Sequence, residues 1–166
     1  AGDQLALDRI DHALTESSGL LRDTVTQLHP AVLRQAGLSR ALRDLGASTA
    51  ARGNLQVTVE AGQWPDGPTE LDLLLFGCAR ELLANVAKHA KATSVWISLS
   101  RQRGRAELEI CDDGVGLDES VRAARLADGH VGLASLQTRV LAAAGELVIG
   151  GRTPEGTTVR VTVPVP

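Results

Sequence analysis

Four polar residues, Glu81, Asn85, Lys88 and His89, follow one another at spacings of 4, 3 and 1 within an otherwise apolar stretch. On a helix turning roughly 100° per residue they project within about 100° of arc, as one polar stripe. A carboxylate, a neutral amide oxygen and a cation side by side suit a magnesium triphosphate. They offer oxygen ligands to a hard ion that keeps its waters, and a point charge to phosphate oxygens. Taken alone, the segment reads more readily as the solvent face of an amphipathic helix.

Three glycine-bearing segments follow. Asp112-Asp113-Gly114-Val115-Gly116 stands where a strand pattern ends. Glycines there let backbone approach a flat ligand, and a carboxylate can accept a hydrogen bond from an exocyclic amine such as adenine N6. Gly129-His130-Val131-Gly132-Leu133 precedes a helical pattern, and amides at a helix N-terminus favour phosphate. Gly156-Thr157-Thr158 opens the last strand pattern, with Thr157 placed to exchange a hydrogen bond near a base. Each has an ordinary counterpart: a turn, a hinge and a hairpin rich in β-forming threonine.

The elements that must position these groups can be read from periodicity. Leu7, Leu14, Leu21 and Leu28 recur every seventh residue, with Ile10 and Val25 in the same stripe. This predicts a helical arm with a coiled-coil-like seam that favours pairing with a second copy, although Ser17 and Thr24 interrupt it. Pro30 breaks the pattern. A short helix follows from Gly37, with Leu38, Ala41, Leu42 and Leu45 on one face, and a half-buried strand at Leu55, Val57 and Val59. Thr69 to Lys91 reads as the main core helix with Thr69 as its N-cap. Alternation at Val95–Leu99 and Ala106–Ile110 predicts a hairpin turning over 101–104. A helix near 132–144 and a last hairpin, 147–149 with 158–163, complete the chain. The expectation is an α+β fold, a two-layer α/β sandwich with a mixed sheet and helices on one face, preceded by a helical arm. We divide it at residues 1–36, arm and connector, and 37–166, catalytic domain.

Composition agrees. The 166 residues are 43% hydrophobic and 22% charged, enough for one globular domain with a sizeable core. Net charge −3 and 2% aromatic residues supply neither a basic footprint nor a stacking platform, so no nucleic acid is expected as partner. No apolar run reaches the roughly 20 residues that span a bilayer, and no membrane contact by this chain is expected. Cys78 and Cys111 are far apart, as reduced thiols of a cytoplasmic protein would be. The absence of Met and the start at Ala1-Gly2-Asp3 suggest a piece of a longer protein, whose parent could still be membrane-anchored.

The order ELLANVAKHA, DDGVG, GHVGL, GTTVRV is far more specific than any one part. It resembles the N box and the three glycine boxes of the ATP-binding (Bergerat) fold shared by sensor histidine kinases, DNA gyrase B, the Hsp90 chaperones and MutL. The segment LRDTVTQLHPAVLRQAGLSRALRDL resembles the end of the second dimerisation helix and the domain entry of histidine kinases of the NarX and DesK type.

The resemblance implies ATP and Mg2+ as cofactors. It implies that Asn85 ligates magnesium, that Glu81 polarises a water or the attacking group, and that Lys88 and His89 reach phosphate oxygens. Asp112 would read adenine N6, with Asp113 a variable neighbour and Gly114 and Gly116 shaping the base pocket. Gly132 and Leu133 would lie beside the phosphates and Thr157 would meet adenine through water. The lid, 118–130, is short, and Leu136 and Thr138 replace a Met and a Glu usual in relatives. The acceptor of this class is a His followed by an acidic residue, whereas His12, His29, His89 and His130 precede Ala13, Pro30, Ala90 and Val131. The expected partners are therefore a dimerisation domain carrying the acceptor and a response regulator. An anti-sigma-factor serine kinase of the same fold, or a nucleotide-binding module without transfer, are the alternatives.

Overall fold

The computed structural model describes residues 33, 36–52, 55–62, 64–65, 69–116, 131–152 and 155–165. The arm at 1–32 and the lid at 118–130 lie outside the described residues. Helix α1 (36–52) buries Leu38, Ala41, Leu42 and Leu45, the stripe expected of it. It lies so close to strand β1 (Gln56–Ala61) that a Cβ on Gly46 would come within 2.8 Å of Val59 Cγ2. Helix α2 (Glu70–Asn85) begins at a capping box. Thr69 Oγ1 accepts the Asp72 N–H at 3.2 Å, and Asp72 Oδ2 accepts the Thr69 N–H at 3.0 Å. Trp64 Nε1 donates to the other oxygen of Asp72 at 2.7 Å, which satisfies this buried carboxylate.

Strands β2 (Ser94–Gln102) and β3 (Arg105–Asp112) form the expected hairpin. Its turn is tighter than 101–104: only Arg103 and Gly104 are unpaired, both at positive φ (52° and 73°), as a two-residue hairpin with right-handed twist requires. Helix α3 (Val131–Ala142) buries Leu136 and Val140 and ends in a Schellman arrangement. Gly145 N–H bonds the Val140 carbonyl and Ala144 N–H the Leu141 carbonyl, with Ala144 left-handed at φ 54°. Strands β4 (Glu146–Gly151) and β5 (Thr157–Pro164) close the sheet.

The strand order is β1-β2-β3-β5-β4, with β1 parallel to β2 and all other neighbours antiparallel. One face of the sheet carries Val95, Ile97, Leu99, Ala106, Leu108, Ile110, Val159, Val161 and Val163, all buried in one core with the helices. The opposite face shows Trp96, Val148 and Arg160 to solvent. This is the two-layer sandwich with helices on one face. Among the described residues no helix is long and apolar enough to cross a membrane.

One expected feature changes. The core helix does not run regularly to Lys91; its last turn, Val86–Ala90, is a π-helix that stops at Lys91 in the left-handed region (φ 51°). Glu81 and Asn85 therefore stand on α2, while Lys88 and His89 stand exposed on the π-turn.

Candidate functional site

Strand β3 ends at Asp112, whose side chain is only 4% exposed. Its Oδ1 accepts the Gly114 N–H at 2.9 Å and the Thr157 N–H at 3.3 Å; Oδ2 takes neither bond. Two amides from separate loops thus hold one oxygen, which fixes the carboxylate's plane and leaves the other oxygen to accept from a ligand.

Bare backbone packs closely around this carboxylate. A Cβ on Gly156, at φ +116°, would come within 2.0 Å of the Asp112 carbonyl oxygen. Gly116, at φ +74°, lies against the Gly156 carbonyl, where a Cβ would sit at 3.2 Å. A Cβ on Gly114 would meet the Ala90 carbonyl oxygen at 2.2 Å, and that same oxygen accepts the Val115 N–H at 2.9 Å. The end of the π-turn, which carries Lys88 and His89, is thereby fastened to the loop after β3.

Asp113 performs a different task from its neighbour. Its Oδ1 accepts the N–H groups of Thr93 and Ser94, each at 2.8 Å, and its Oδ2 accepts the Thr93 hydroxyl at 2.7 Å. The Ser94 amide, then the Thr93 hydroxyl, hold this carboxyl well below the usual carboxylate range. Asp113 ties the start of β2 to the loop after β3, next to Asp112.

At the other side, Glu81 and Asn85 are half-buried on successive turns of α2. Glu81 lies against the first turn of α3: a Cβ on Gly132 would come within 2.0 Å of Glu81 Oε1. Leu133, next to it, is half-buried. Leu136 is fully buried and belongs to the core, whereas Thr138 is exposed with its hydroxyl bonded to the Ala134 carbonyl at 3.0 Å.

The structure thus brings Asp112, Gly114 and Thr157 together, seats Gly116 on Gly156, and places Glu81 on Gly132. Thr157 contributes its amide to Asp112. Gly156, Asp113 and Ala90 were not assigned from the sequence as site residues; the glycine before Thr157 was the available signal, while the other two act through bonds to segments distant in sequence.

The donor set fits a nucleotide polyphosphate with magnesium. Gly114, Gly116 and Gly156 let backbone segments close in around the Asp112 carboxylate, and Glu81 and Asn85 on α2 carry the side-chain oxygen atoms such a ligand's ion needs. Among the described residues no group of three or more His, Cys, Asp or Glu could hold a metal unaided. An ion shared between one or two side-chain oxygens and phosphates is the form that suits magnesium.

A family profile described as "Histidine kinase-, DNA gyrase B-, and HSP90-like ATPase" matches residues 71–166. The chain belongs to that ATPase family. It is 40% identical over 163 residues to the sensor histidine kinase NarS of Mycobacterium tuberculosis, covering 95% of this chain and 37% of NarS. To the nitrate/nitrite sensor protein NarX of Escherichia coli K12 it is 27% identical over 158 residues, covering 94% of this chain and 25% of NarX. The chain therefore spans roughly a third or less of these curated relatives' length (37% and 25%). Among solved structures, the blue-light activated histidine kinase of Erythrobacter litoralis matches with a TM-score of 0.65 at 25% identity, over 77% of this chain and 45% of that one. As an ATPase domain of the histidine kinase-like family, the chain binds ATP, and its mixed sheet with one helical layer is the family's fold.

Proposed function

We propose that the chain is the catalytic, ATP-binding domain of a two-component sensor histidine kinase acting in the cytoplasm. In this reading it holds MgATP between Asp112 and the start of α3. It delivers the γ-phosphoryl to a histidine on a dimerisation domain, from which a response-regulator aspartate receives it. The observation that carries the reading is the half-used Asp112 carboxylate, buried, oriented by two amides and closely packed by glycine backbone. Asp112 accepts from adenine N6, with Gly114, Gly116 and Thr157 forming the base pocket. Asn85 ligates magnesium, which when bound neutralises phosphate charge. Lys88, His89 and the amides at Gly132 and Leu133 hold phosphate oxygens, and Glu81 orients the attacking group. At the acceptor an N–P bond forms as the bond from the γ-phosphorus to the bridging oxygen breaks and ADP leaves. The domain's contribution is position and charge rather than a covalent intermediate of its own. The leucine seam at Leu7, Leu14, Leu21 and Leu28 pairs two copies.

The test is incubation with γ-labelled ATP, alone and with the part of NarS that precedes the matched region. Acid-labile label is expected on the NarS segment and not on this chain. Label on His12, His29, His89 or His130 with ATP alone would overturn the assignment of the acceptor to another segment.

A further inference from the structure

Helices α2 and α3 meet through two reciprocal contacts at glycine. A Cβ on Gly132 of α3 would lie 2.0 Å from Glu81 Oε1 and 3.0 Å from its Cδ, and a Cβ on Gly77 of α2 would lie 3.3 Å from an Nη atom of Arg139 on α3. Residues 77 and 81 are one turn apart on α2, and 132 and 139 two turns apart on α3. The pairs run in opposite sequence directions, so the helices lie antiparallel, each receiving a charged side chain of the other where it has no Cβ. Leu136, between these contacts, and Val140, just beyond the second, are both 0% exposed and lock α3 onto the core. The Glu81 carboxylate, by contrast, is the far end of a flexible side chain.

We propose that Gly132 is a positioning residue for Glu81: the side chain it lacks is the space that sets the Glu81 carboxylate against the first turn of α3. This rests on the role given to Glu81 above and goes beyond it. The glycine beside the phosphates is required for where it lets the acid stand, in addition to any approach of its own backbone to phosphate. Because α3 is held by Leu136 and Val140, a methyl at 132 displaces the carboxylate rather than the helix. Gly132 is not at positive φ, and alanine is the better helix former, so the fold tolerates the change.

The experiment is a double-mutant cycle on the full chain, with γ-labelled ATP and the same NarS segment as acceptor. It compares wild type, Gly132→Ala, Glu81→Asp, the double variant and Glu81→Gln, reading the transfer rate at saturating ATP, the ATP affinity and Tm. Gly132→Ala is expected to slow transfer on the order of 100-fold, the scale of a misplacement of about 1 Å. Alanine keeps the amide assigned to phosphate, so ATP affinity should fall far less than the transfer rate, and Tm should not fall. Glu81→Asp withdraws the carboxylate by one methylene, so the double variant should transfer at least about fivefold faster than the product of the single effects predicts. Multiplicative singles, or a Gly132→Ala affinity loss as large as its rate loss, would overturn the proposal while a slow Glu81→Gln upheld the role of the acid. If Glu81→Gln transfers at the wild-type rate, the role of Glu81 fails and the positioning proposal falls with it.

Discussion

Replacing Asp112 by Asn separates recognition of the base from maintenance of the loop. In the native site Oδ1 holds two amides, at 2.9 and 3.3 Å, and Oδ2 takes neither. An asparagine oriented by the same amides keeps its oxygen at Oδ1 and puts an NH2 group where Oδ2 was. The two retained bonds pass from a charged to a neutral acceptor, a loss of about 1 kcal/mol each and about 2 in total. A domain of this size loses roughly 2–4 °C per kcal/mol, so Tm should fall by about 4–8 °C, with the fold intact at 25 °C. At the ligand, a donor now faces the adenine N6 donor. Losing a bond to a charged acceptor costs about 1.5–3 kcal/mol, so ATP should bind roughly 10–150-fold more weakly. Calorimetric titration of both proteins below the variant's Tm, with thermal melts of the ligand-free chains, measures the two effects separately. ATP affinity within twofold of wild type would refute the assignment of Asp112 to the base. A collapse of Tm by tens of degrees would refute the claim that Oδ1 alone serves the fold.

Asn85→Ala should remove the magnesium dependence of ATP binding while leaving adenosine affinity unchanged; equal losses for both ligands in titrations would show damage to α2 instead. Gly156→Ala combines a left-handed φ of +116° with a Cβ 2.0 Å from the Asp112 carbonyl, so it should destabilise by about 2–5 kcal/mol and abolish nucleotide binding. Gly150→Ala, with nothing within 4 Å of its added Cβ, should melt within about 2 °C of wild type in the same assay. Asp113 has its folded pKa depressed, so its contribution to stability is complete above the ordinary Asp value of about 4 and disappears as pH falls through the folded value. Asp113→Asn should lower stability at pH 7 and flatten the acid limb of the unfolding profile below about pH 4, which denaturant melts across pH would register. An unchanged acid limb would remove Asp113 from that role.

Features written within a few residues were legible. The Thr69 cap, the alternating strands and the apolar faces of α1 and α2 each follow from local chemistry and period, and the structure reproduces them. The site's carboxylate and glycines could be named because their order along the chain is distinctive. What depends on partners far along the chain was not. The Asp113 bonds to Thr93 and Ser94 span about 20 residues, and the contact of Gly156 with Asp112 spans more than 40. Nothing in periodicity signals either. The parallel pairing of β1 with β2 likewise depends on how α2 crosses over the sheet, and alternation looks the same in either direction. The π-turn escaped because Val86–Ala90 carries no residue that forbids α-helix. The bond from the Val115 N–H to the Ala90 carbonyl that fastens its end joins residues 25 apart in sequence.

A domain that selects adenine nucleotide through one oriented carboxylate and holds its phosphates with magnesium must discriminate between nucleobases and respond to the ion. Calorimetric titration of the wild-type chain with ATP and with GTP, each with and without magnesium, reads both. ATP should bind at least about tenfold more tightly than GTP, whose O6 presents an acceptor to an acceptor, and magnesium should strengthen ATP binding. Equal affinities for the two nucleotides, or ATP binding indifferent to magnesium, would contradict this mode of binding.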